Sequence, residues 1–515
     1  MASRIPRTGR VRRFFHKIIN RLTLTALLLV VQVAWLTWFL HSLTQYALGI
    51  SLAFSILSLA FSLFIVRRDD NPAYKISWIL VLCAWPLFGL LIYLVFGNKH
   101  LSRRMKRRIE RVQKEHPTPV SAIKSSDLPP RFLGTCRYLE AMGSPTYSDT
   151  HVSYYPLGDD LFPALLLDLE RAEKYIFLEY FIISEGKMFD AIVDVLGRKA
   201  SEGVDVRLIY DDIGCEGSMP PGFAGWAQKH GIKTLGFNRI LPFFSIVMNH
   251  RDHRKYTIID GRVVYTGGIN IADEYINQKV RFGHWKDSGL RLEGAAADSF
   301  VYMFLNLWNA FRPTEKDYTP FLNDRTVKEE GNMPSAVIPY TDFPLDNEQV
   351  GETVYLEILS QAQDYVYIFT PYLIIDNEMQ IALCTAAKRG VDVRIVTPGV
   401  PDKKIAYRLT RSFYPALLQA GVRIFEYTPG FLHAKSFLCD DKIATVGTIN
   451  LDFRSLYLHF ECSTLLYGGE MMEDLKRDCL DTIEKSREVL FSGRRGWRPL
   501  RDLFDAVLRA LSPLF

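Results

Sequence analysis

The sequence has 515 residues, of which 48% are hydrophobic and 23% charged, and its formal net charge is +5. This length accommodates two or more domains, and the hydrophobic fraction excludes a mainly disordered or fibrous chain. The charge is unevenly distributed: residues 1–114 contain 18 Lys and Arg against 3 Asp and Glu, whereas the rest of the chain contains 44 against 54. A basic segment of net charge +15 therefore precedes an acidic body of net charge −10.

The basic segment contains two long uncharged stretches, residues 22–66 and 76–98. About 20 apolar residues in a helix cross the hydrocarbon core of a bilayer. The first stretch therefore predicts two transmembrane helices, Leu22–Leu40 and Tyr46–Val66. The second stretch, Ile76–Phe96, is long enough for one more pass.

The number of membrane passes stays open between two and three. Seven basic residues precede the first predicted helix, and eight more lie within residues 99–114. The positive-inside rule places both clusters in the cytoplasm, which requires an even number of passes. Pro86 and Gly89, in the middle of the last stretch, allow a bent, re-entrant element instead of a third pass. We expect the body of the protein to be cytoplasmic.

The body contains an internal duplication. The pentapeptide GVDVR occurs at Gly203–Arg207 and again at Gly390–Arg394, and HRKYTIID at 253–260 matches HAKSFLCD at 433–440. Around these matches, apolar strands alternate with helical stretches in both copies. This alternation predicts a duplicated α/β fold.

These patterns divide the chain into five parts. We expect a membrane segment with two or three hydrophobic helices over residues 1–98, a basic juxtamembrane linker over 99–130, a first repeat over 131–320, a second repeat over 335–495 and a C-terminal amphipathic helix over 496–515. The basic linker can attract anionic lipid. The spacing of apolar residues in the C-terminal helix fits either a membrane interface or packing on the body.

Both copies carry the pattern His-x-Lys-x4-Asp, and Gly-x-x-Asn follows after six further residues. The residues are His253, Lys255, Asp260 and Asn270 in the first copy and His433, Lys435, Asp440 and Asn450 in the second. Lys and Asn donate hydrogen bonds to phosphate oxygens, and one histidine can attack phosphorus while the other protonates the leaving alcohol. This chemistry needs no metal and no cofactor, and we expect neither. Each Asp lies at a turn, which leaves open whether it only shapes the hairpin.

The doubled motif resembles the phospholipase D superfamily over roughly residues 130–490. Stretches 249–275, 282–294 and 433–461 are similar to bacterial cardiolipin synthases of that superfamily, and 71–97 is similar to the membrane segment that precedes their catalytic body. The resemblance implies two duplicated phospholipase D-type α/β sandwich repeats around one shared active site, preceded by N-terminal transmembrane helices. It also implies a multi-pass protein of the bacterial cytoplasmic membrane.

The resemblance further implies how the motif residues act. His253 is expected to attack phosphorus and form a phosphohistidine, while His433 serves as general acid and then as general base. Four side chains are expected to hold the phosphate: Lys255, Lys435, Asn270 and Asn450.

Four acidic residues are expected to assist. The resemblance implies that an acidic residue downstream of each motif orients a histidine, and the matching positions are Asp287 and Glu461. Asp260 and Asp440 are expected to support the catalytic residues.

Two positions depart from the family pattern. A small hydroxyl residue often follows the motif glycine, but the first copy has Gly268 where the second has Thr448. The first copy is therefore expected to lack one hydroxyl contact to phosphate. His459 stands where the pattern usually has Asn.

The implied reaction joins two phosphatidylglycerols into cardiolipin and releases glycerol, in a reversible exchange of phosphodiesters. The expected partners are phosphatidylglycerol, other anionic phospholipids and the bilayer. Three alternatives remain: a phospholipase D that hydrolyses phospholipids, a nucleic-acid phosphodiesterase, and a lipid-binding scaffold without catalysis. The acidic body argues against nucleic acid, because a phosphate backbone requires a basic surface. The two intact motifs argue against the scaffold.

Overall fold

The structure is a computed structural model. It describes residues 21–44, 48–97, 103–118, 128–239, 250–323, 334–344, 346, 348–491 and 499–514. Six of the seven basic residues that precede the first predicted helix lie outside these ranges, as do most of the segment 115–127 and residues 324–333 between the two repeats.

Helices of the N-terminal third precede or flank the first strand. They are α1 (Arg21–Thr44), α2 (Leu48–Val66), α3 (Pro72–Ala84), α4 (Pro86–Ile92), α5 (Arg103–Glu115), α6 (Pro130–Ala141) and α7 (Gly158–Glu170). The remaining helices cover the two repeats and the C-terminus. They are α8 (Lys187–Ser201), α9 (Phe223–Lys229), α10 (Ala297–Phe311), α11 (Val350–Gln361), α12 (Asn377–Lys388), α13 (Lys404–Gln419), α14 (Phe453–Tyr457), α15 (Met471–Glu484) and α16 (Pro499–Ala510).

The first repeat forms a seven-stranded mixed sheet. Its strands, with one short strand that pairs elsewhere (β7), are β1 (Thr150–Tyr155), β2 (Tyr175–Tyr180), β3 (Asp205–Asp211), β4 (Lys233–Phe237), β5 (Lys255–Ile259), β6 (Val263–Gly267), β7 (His284–Lys286) and β8 (Gly289–Gly294). The order across the sheet is β1-β8-β6-β5-β2-β3-β4, with β2, β3 and β4 parallel. Every residue of β2 is buried, as expected for a strand covered on both faces.

The second repeat forms an eight-stranded sheet of matching design. The strands of this half are β9 (Ala336–Asp342), β10 (Tyr365–Phe369), β11 (Leu373–Ile374), β12 (Asp392–Pro398), β13 (Arg423–Tyr427), β14 (Gly430–Leu432), β15 (Ser436–Cys439), β16 (Ile443–Gly447), β17 (Leu451–Asp452), β18 (Glu461–Tyr467) and β19 (Ser486–Glu488). The sheet order is β19-β13-β12-β10-β15-β16-β18-β9. Apart from the extra edge strand β19, this is the order of the first sheet, so the predicted duplicated α/β fold is confirmed.

The two repeats share a core. One cluster of buried side chains contains Phe177 and Tyr256 of the first sheet, Phe369 of the second and Phe304 of α10. The short strands β7 and β14 pair in parallel across the two halves, and a β-bridge joins Asp252 to Phe460. These contacts bring the two motif hairpins, β5–β6 and β15–β16, to the same region of the molecule.

The segment expected to be a linker between membrane and body is partly helical. Its residues 103–115 form α5, and Ile109 and Val112 of this helix are buried in the core shared by the two sheets. The apolar side chains at these positions bury one face of the helix, while its basic residues occupy the others. Residues 103–115 therefore belong to the packed body.

The N-terminal helices contact the second repeat and the C-terminus. Asn71 caps α3 by accepting a hydrogen bond from the Ala73 amide (2.9 Å), and its side chain donates to Asp376 (2.9 Å) and to Tyr457 (2.8 Å). The hydroxyl of Ser77 donates to a carbonyl of α16 at 2.7 Å. The apolar stretch 76–96 is broken at its middle, since α3 ends and α4 begins on either side of Trp85.

Among the residues that the structure describes, no helix is both long and apolar enough to cross a membrane. The predicted transmembrane helices are therefore not confirmed. The C-terminal helix α16 packs on the body through Leu508 and an ion pair between Asp505 and Arg408 (2.6 Å). Its residues Leu503 and Phe504 are exposed.

Candidate active site

The two motif histidines precede the central hairpin strands of their sheets. β5 begins at Lys255 and lies between β2 and β6, and β15 begins directly after Lys435 and lies between β10 and β16. The ammonium group of Lys255 donates to the carbonyl of His253 at 2.5 Å, and that of Lys435 donates to the carbonyl of His433. Each lysine is thereby held against the histidine of its own motif, as the i, i+2 spacing predicts.

Each histidine is hydrogen-bonded to a carboxylate of the other repeat. Nδ1 of His253 donates to Glu461, at 2.8 Å from Oε1 and 2.9 Å from Oε2. Nδ1 of His433 donates to Oδ2 of Asp287 at 2.6 Å. Both carboxylates are completely buried, so they are not surface ion-pair partners. The crossed pairs make a single site from the two repeats.

The carboxylate of Glu461 is oriented by hydroxyl groups as well. Thr448 donates to Oε2 at 2.5 Å and Ser455 donates to Oε1 at 2.7 Å. The hydroxyl of Thr448 is therefore hydrogen-bonded to Glu461. The sequence did not indicate that this hydroxyl contacts the carboxylate instead of the phosphate. Ser455 in turn accepts from Asn450 at 2.9 Å, which links the motif asparagine to the carboxylate.

In the first repeat, Gly268 takes the position that Thr448 has in the second. A Cβ atom at Gly268 would lie 2.0 Å from Oδ1 of Asp287, so the shorter carboxylate occupies the space that a side chain would fill. The same oxygen accepts a hydrogen bond from the Ser288 amide at 2.9 Å. The departure at Gly268 is therefore a packing requirement of Asp287.

Burial controls the protonation of the two histidines. Burial, reinforced by the charge of Lys255, lowers the pKa of His253 well below its usual value. Burial and the charge of Lys435 lower the pKa of His433 to about 4, although Asp287 acts in the opposite direction. Both imidazoles are therefore neutral near pH 7 in the absence of a bound anion, which leaves a lone pair for attack on phosphorus.

The lysines and carboxylates are shifted too. Burial lowers the pKa of Lys255 to about 8 and that of Lys435 to about 7. Burial raises the pKa of Glu461 well above its usual value, with Lys255 acting in the opposite direction. Burial works against the ionised form of Asp287 as well, but His433 and Lys435 hold its pKa below the usual value.

Each motif asparagine donates to a hydroxyl five residues ahead, but their side-chain oxygens differ: that of Asn450 has no hydrogen-bond partner in the described part of the chain. Asn270 donates to the hydroxyl of Tyr275 at 2.7 Å, and its side-chain oxygen accepts from the Ile182 amide at 2.9 Å. Asn450 donates to Ser455, five residues ahead, just as Asn270 does to Tyr275. Each amide nitrogen carries a second hydrogen that these bonds leave over for a phosphate oxygen.

Aromatic rings line the site, and the sequence did not single them out. The ring of Phe181 lies 4.9 Å from that of His253. Around His433, the rings of Tyr275, Trp285 and Phe431 lie at 5.5, 5.6 and 5.8 Å. The sequence repeat could have indicated that Phe181 lies near the first motif strand. No local pattern indicates which aromatic rings contact the ring of His433.

The structure does not bring Asp260 and Asp440 to the histidines, and their expected support of catalysis is corrected here. They lie directly after β5 and β15, so Asp260 is about 16 Å along the chain direction of the strand from Lys255. The carboxylate of Asp260 accepts hydrogen bonds from three successive amides, 173–175, at 2.7–2.9 Å, and that of Asp440 accepts from 363–365 in the same way. Both residues have positive φ angles (54° and 52°), which Asp tolerates in a turn. Their role is to fix the turn.

One group of side chains could bind a metal ion. His253, His459 and Glu461 each offer a ligand atom, and these atoms lie within 4.8 Å of one another. Imidazole nitrogens and a carboxylate oxygen are suitable ligands for Zn²⁺. The group overlaps the His253–Glu461 pair, so a metal there would compete with that hydrogen bond.

Comparisons with known proteins show which families the sequence is similar to. The family model described as the phospholipase D-like domain of cardiolipin synthase matches residues 165–281 and 355–480, and the model of the phospholipase D-nuclease N-terminal segment matches 56–98. A protein of Streptococcus mutans without assigned function is 43% identical over 460 residues, covering 88% of this chain and 99% of that protein.

Several relatives carry a functional name, and two of them serve as examples. The cardiolipin synthase of Listeria welshimeri is 32% identical, covering 92% of this chain and 99% of the relative, and that of Geobacillus kaustophilus is 32% identical, covering 88% and 91%. Among solved structures, the phosphatidylserine synthase of Haemophilus influenzae has a TM-score of 0.55 at 15% identity, covering 73% of this chain and 99% of that one. The structural likeness supports the fold alone.

Proposed function

Because the chain belongs to the bacterial cardiolipin synthases of the phospholipase D superfamily, we propose that it is a phosphatidyltransferase that converts two phosphatidylglycerols into cardiolipin and glycerol. The observation that carries the proposal is the crossed pairing of His253 with Glu461 and of His433 with Asp287. Two oriented imidazoles on one site can serve both halves of a double displacement at phosphorus.

In the first half-reaction, Nε2 of His253 attacks the phosphorus of one phosphatidylglycerol. A P–N bond forms, the P–O bond to the glycerol headgroup breaks, and His433 donates a proton to the departing oxygen. Burial keeps His253 neutral for attack, while Asp287 stabilises the protonated form of His433 that binding of the anionic phosphate would favour. Glu461 holds Nδ1–H of His253, so that the lone pair lies on Nε2.

In the second half-reaction, a hydroxyl of the second phosphatidylglycerol attacks the phosphohistidine. The now neutral His433 accepts its proton, the new P–O bond forms and the P–N bond breaks. Lys255 and Lys435, with the amides of Asn270 and Asn450, supply donors for the charge on the phosphate oxygens. The reaction is thus an exchange between phosphodiesters and is reversible.

We also propose that the enzyme acts at the cytoplasmic membrane. The helices α1 and α2 expose large apolar side chains such as Trp35, Leu52 and Leu63, and α5 is rich in basic residues. Apolar surface and positive charge together favour contact with anionic lipid.

The purified full-length chain in mixed micelles of phosphatidylglycerol tests the proposal. Equimolar cardiolipin and glycerol are expected. Phosphatidic acid as the main product would instead identify a hydrolase, and the absence of any phosphatidyl product would refute the proposal.

Labelled lipid tests the assignment of the histidines. With acyl-labelled phosphatidylglycerol, His433→Ala is expected to accumulate lipid on the protein slowly and through an acid-labile bond. This variant keeps the nucleophile His253, but it lacks both the acid that protonates the departing glycerol and the base that activates the second alcohol. His253→Ala is expected to accumulate none. The opposite labelling pattern would reverse the two roles.

A further inference from the structure

Beside His253 lies a second group of donors that the proposed chemistry does not use. It consists of Arg251, Arg454 and His459, which we call the basic cluster. Nε of Arg251, Nε of Arg454 and both ring nitrogens of His459 are buried and have no hydrogen-bond partner in the described part of the chain. Nδ1 of His459 lies 3.8 Å from Oε1 of Glu461, beyond hydrogen-bond distance. Buried polar atoms are normally hydrogen-bonded, so four nitrogen atoms without such a bond indicate a ligand.

The backbone ties the basic cluster to the active site. The amide of His459 donates to the carbonyl of Arg454 (3.0 Å), and the amide of Phe460 donates to that of Arg251 (2.8 Å). Phe460 also accepts from the amide of His253 at 2.9 Å. The rings of His253 and His459 are 5.6 Å apart. The cluster is therefore adjacent to the reacting phosphorus and is held by the same strand that carries Glu461.

The charges of the cluster favour an anion over a metal cation. Arg251 is 3% exposed and pairs with Asp211 at 3.2 Å, so its positive charge is balanced. Arg454 has no ion pair with any residue in the described ranges, and the charges of Arg454, Arg251 and Lys255 all act on His459. An added cation would face this positive field, whereas a phosphate would be attracted by it.

We propose that the basic cluster binds the phosphodiester of the acceptor phosphatidylglycerol. The inference rests on the proposed function and identifies where the second lipid binds. A single glycerol joins the two phosphates of cardiolipin, so the acceptor phosphate must lie close to the phosphorus that reacts. The acceptor hydroxyl attacks from the side of His433, opposite His253, but the three carbon atoms of its glycerol can turn back past the reacting phosphorus. Its phosphate then reaches the donors beside His253.

The two sides of the site differ in the way this requires. The surroundings of His433 are aromatic, with Tyr275, Trp285 and Phe431 around its ring. The surroundings of His253 contain the unpaired guanidinium and imidazole groups. Near His433, Trp285 also has a buried indole nitrogen without a hydrogen-bond partner, but this donor is uncharged. The guanidinium groups beside His253 carry charge and therefore suit an additional anion better.

Arg454→Gln tests the proposal through the ratio of two reactions. Exchange of labelled glycerol into phosphatidylglycerol uses the donor lipid and a neutral acceptor, whereas cardiolipin synthesis uses an acceptor that carries a phosphate. Arg454→Gln is expected to lower cardiolipin synthesis at least tenfold more than glycerol exchange, through a higher KM for phosphatidylglycerol. Arg454→Lys, which keeps the charge, is expected to recover part of the ratio. Arg477→Gln, at an exposed arginine of α15, is the matched control.

The remaining outcomes would overturn the proposal. Equal loss of both reactions in Arg454→Gln, with Arg454→Lys behaving alike, would mean that the cluster is structural. Loss of inhibition by inorganic phosphate in Arg454→Gln without a change in the ratio would mean that the cluster binds free phosphate instead of lipid. Inactivation of the wild-type chain by EDTA and recovery with Zn²⁺ would mean that His459 serves a metal. If the wild-type chain performs neither reaction, it is the proposed function that fails.

Discussion

His253 and Glu461 lie 208 positions apart in the chain and on different repeats, yet Nδ1 of the histidine is 2.8 Å from Oε1 of the glutamate. The reciprocal contact joins His433 to Asp287. Neither repeat therefore contains both a catalytic histidine and the carboxylate that orients it. The tautomer and orientation of each imidazole depend on the packing of one repeat against the other.

The crossed carboxylates are expected to be as important as the histidines. Glu461→Gln and Asp287→Asn keep side-chain size but remove the negative charge and replace one carboxylate oxygen by an amide NH₂, which can donate to Nδ1 and favour the wrong tautomer. Each is therefore expected to lower kcat by roughly 10²- to 10⁴-fold. The rate of cardiolipin formation at saturating lipid measures the effect. Glu473→Gln, at an exposed position of α15, should retain the wild-type rate. Losses below threefold in both carboxylate variants would contradict the role of the crossed pairs.

The lowered pKa values of the two lysines predict how kcat/KM changes on the alkaline side of the pH profile. The pKa of Lys435 is lowered to about 7 and that of Lys255 to about 8, so the free enzyme loses positive charge as the pH rises through 7–8. Because the charged forms attract the anionic substrate, kcat/KM is expected to fall over this range, while kcat changes less because bound phosphate favours the protonated lysines.

A substitution of Lys435 tests whether this residue causes the alkaline fall in kcat/KM. Arg stays protonated across the range, so in Lys435→Arg the residual kcat/KM should begin to fall only near pH 8, the value of Lys255. Profiles are to be measured at constant ionic strength and constant lipid composition. An unchanged limb near pH 7 in this variant would exclude Lys435 as its cause.

Gly268 is expected to tolerate no side chain. The Cβ atom of Gly268→Ala would lie 2.0 Å from Oδ1 of Asp287 and must displace the carboxylate that orients His433. We expect a loss of at least tenfold in kcat and, from overpacking, a loss of about 1–3 kcal/mol in the free energy of unfolding. Gly225→Ala, where nothing lies within 4 Å of the added Cβ, should lose neither. Wild-type kcat in Gly268→Ala would show that Asp287 can shift without consequence.

Much of the site follows from the sequence because its residues are set by local spacing. The position of Lys255 two residues after His253, at the start of a hairpin strand, is a property of the strand itself. The carboxylate partner of each histidine does not follow from local spacing. Asp287 and Glu461 could be named from the family pattern, but their exchange between repeats depends on how two sheets pack, which no local periodicity encodes.

The same limit explains what the sequence did not show. The basic residues of 103–115 indicate a juxtamembrane linker, but they do not show that Ile109 and Val112 place this helix against the core. The orphaned nitrogens of Arg251 and His459 become visible only when the distant residues 251 and 459 are brought together. Asp260 carries a motif position and so suggests chemistry, but its hydrogen bonds reveal a turn.

Asp260 and Asp440 provide the last test, because they belong to the sequence motif but lie far from the histidines. Asp440→Ala removes the acceptor of three amides and places Ala at a φ angle of 52°, so we expect it to reduce the free energy of unfolding by about 1–3 kcal/mol. Asp440→Asn retains one carbonyl oxygen and tolerates the backbone angle, so its loss should be smaller. In both variants, kcat per folded molecule is expected to stay within about threefold of wild type, because a group about 16 Å along the strand from the motif lysine cannot contact the substrate. Thermal unfolding, combined with kcat at a temperature where the variants are folded, distinguishes the two effects. A fall of more than a hundredfold in kcat for fully folded Asp440→Asn would return this residue to the catalytic machinery.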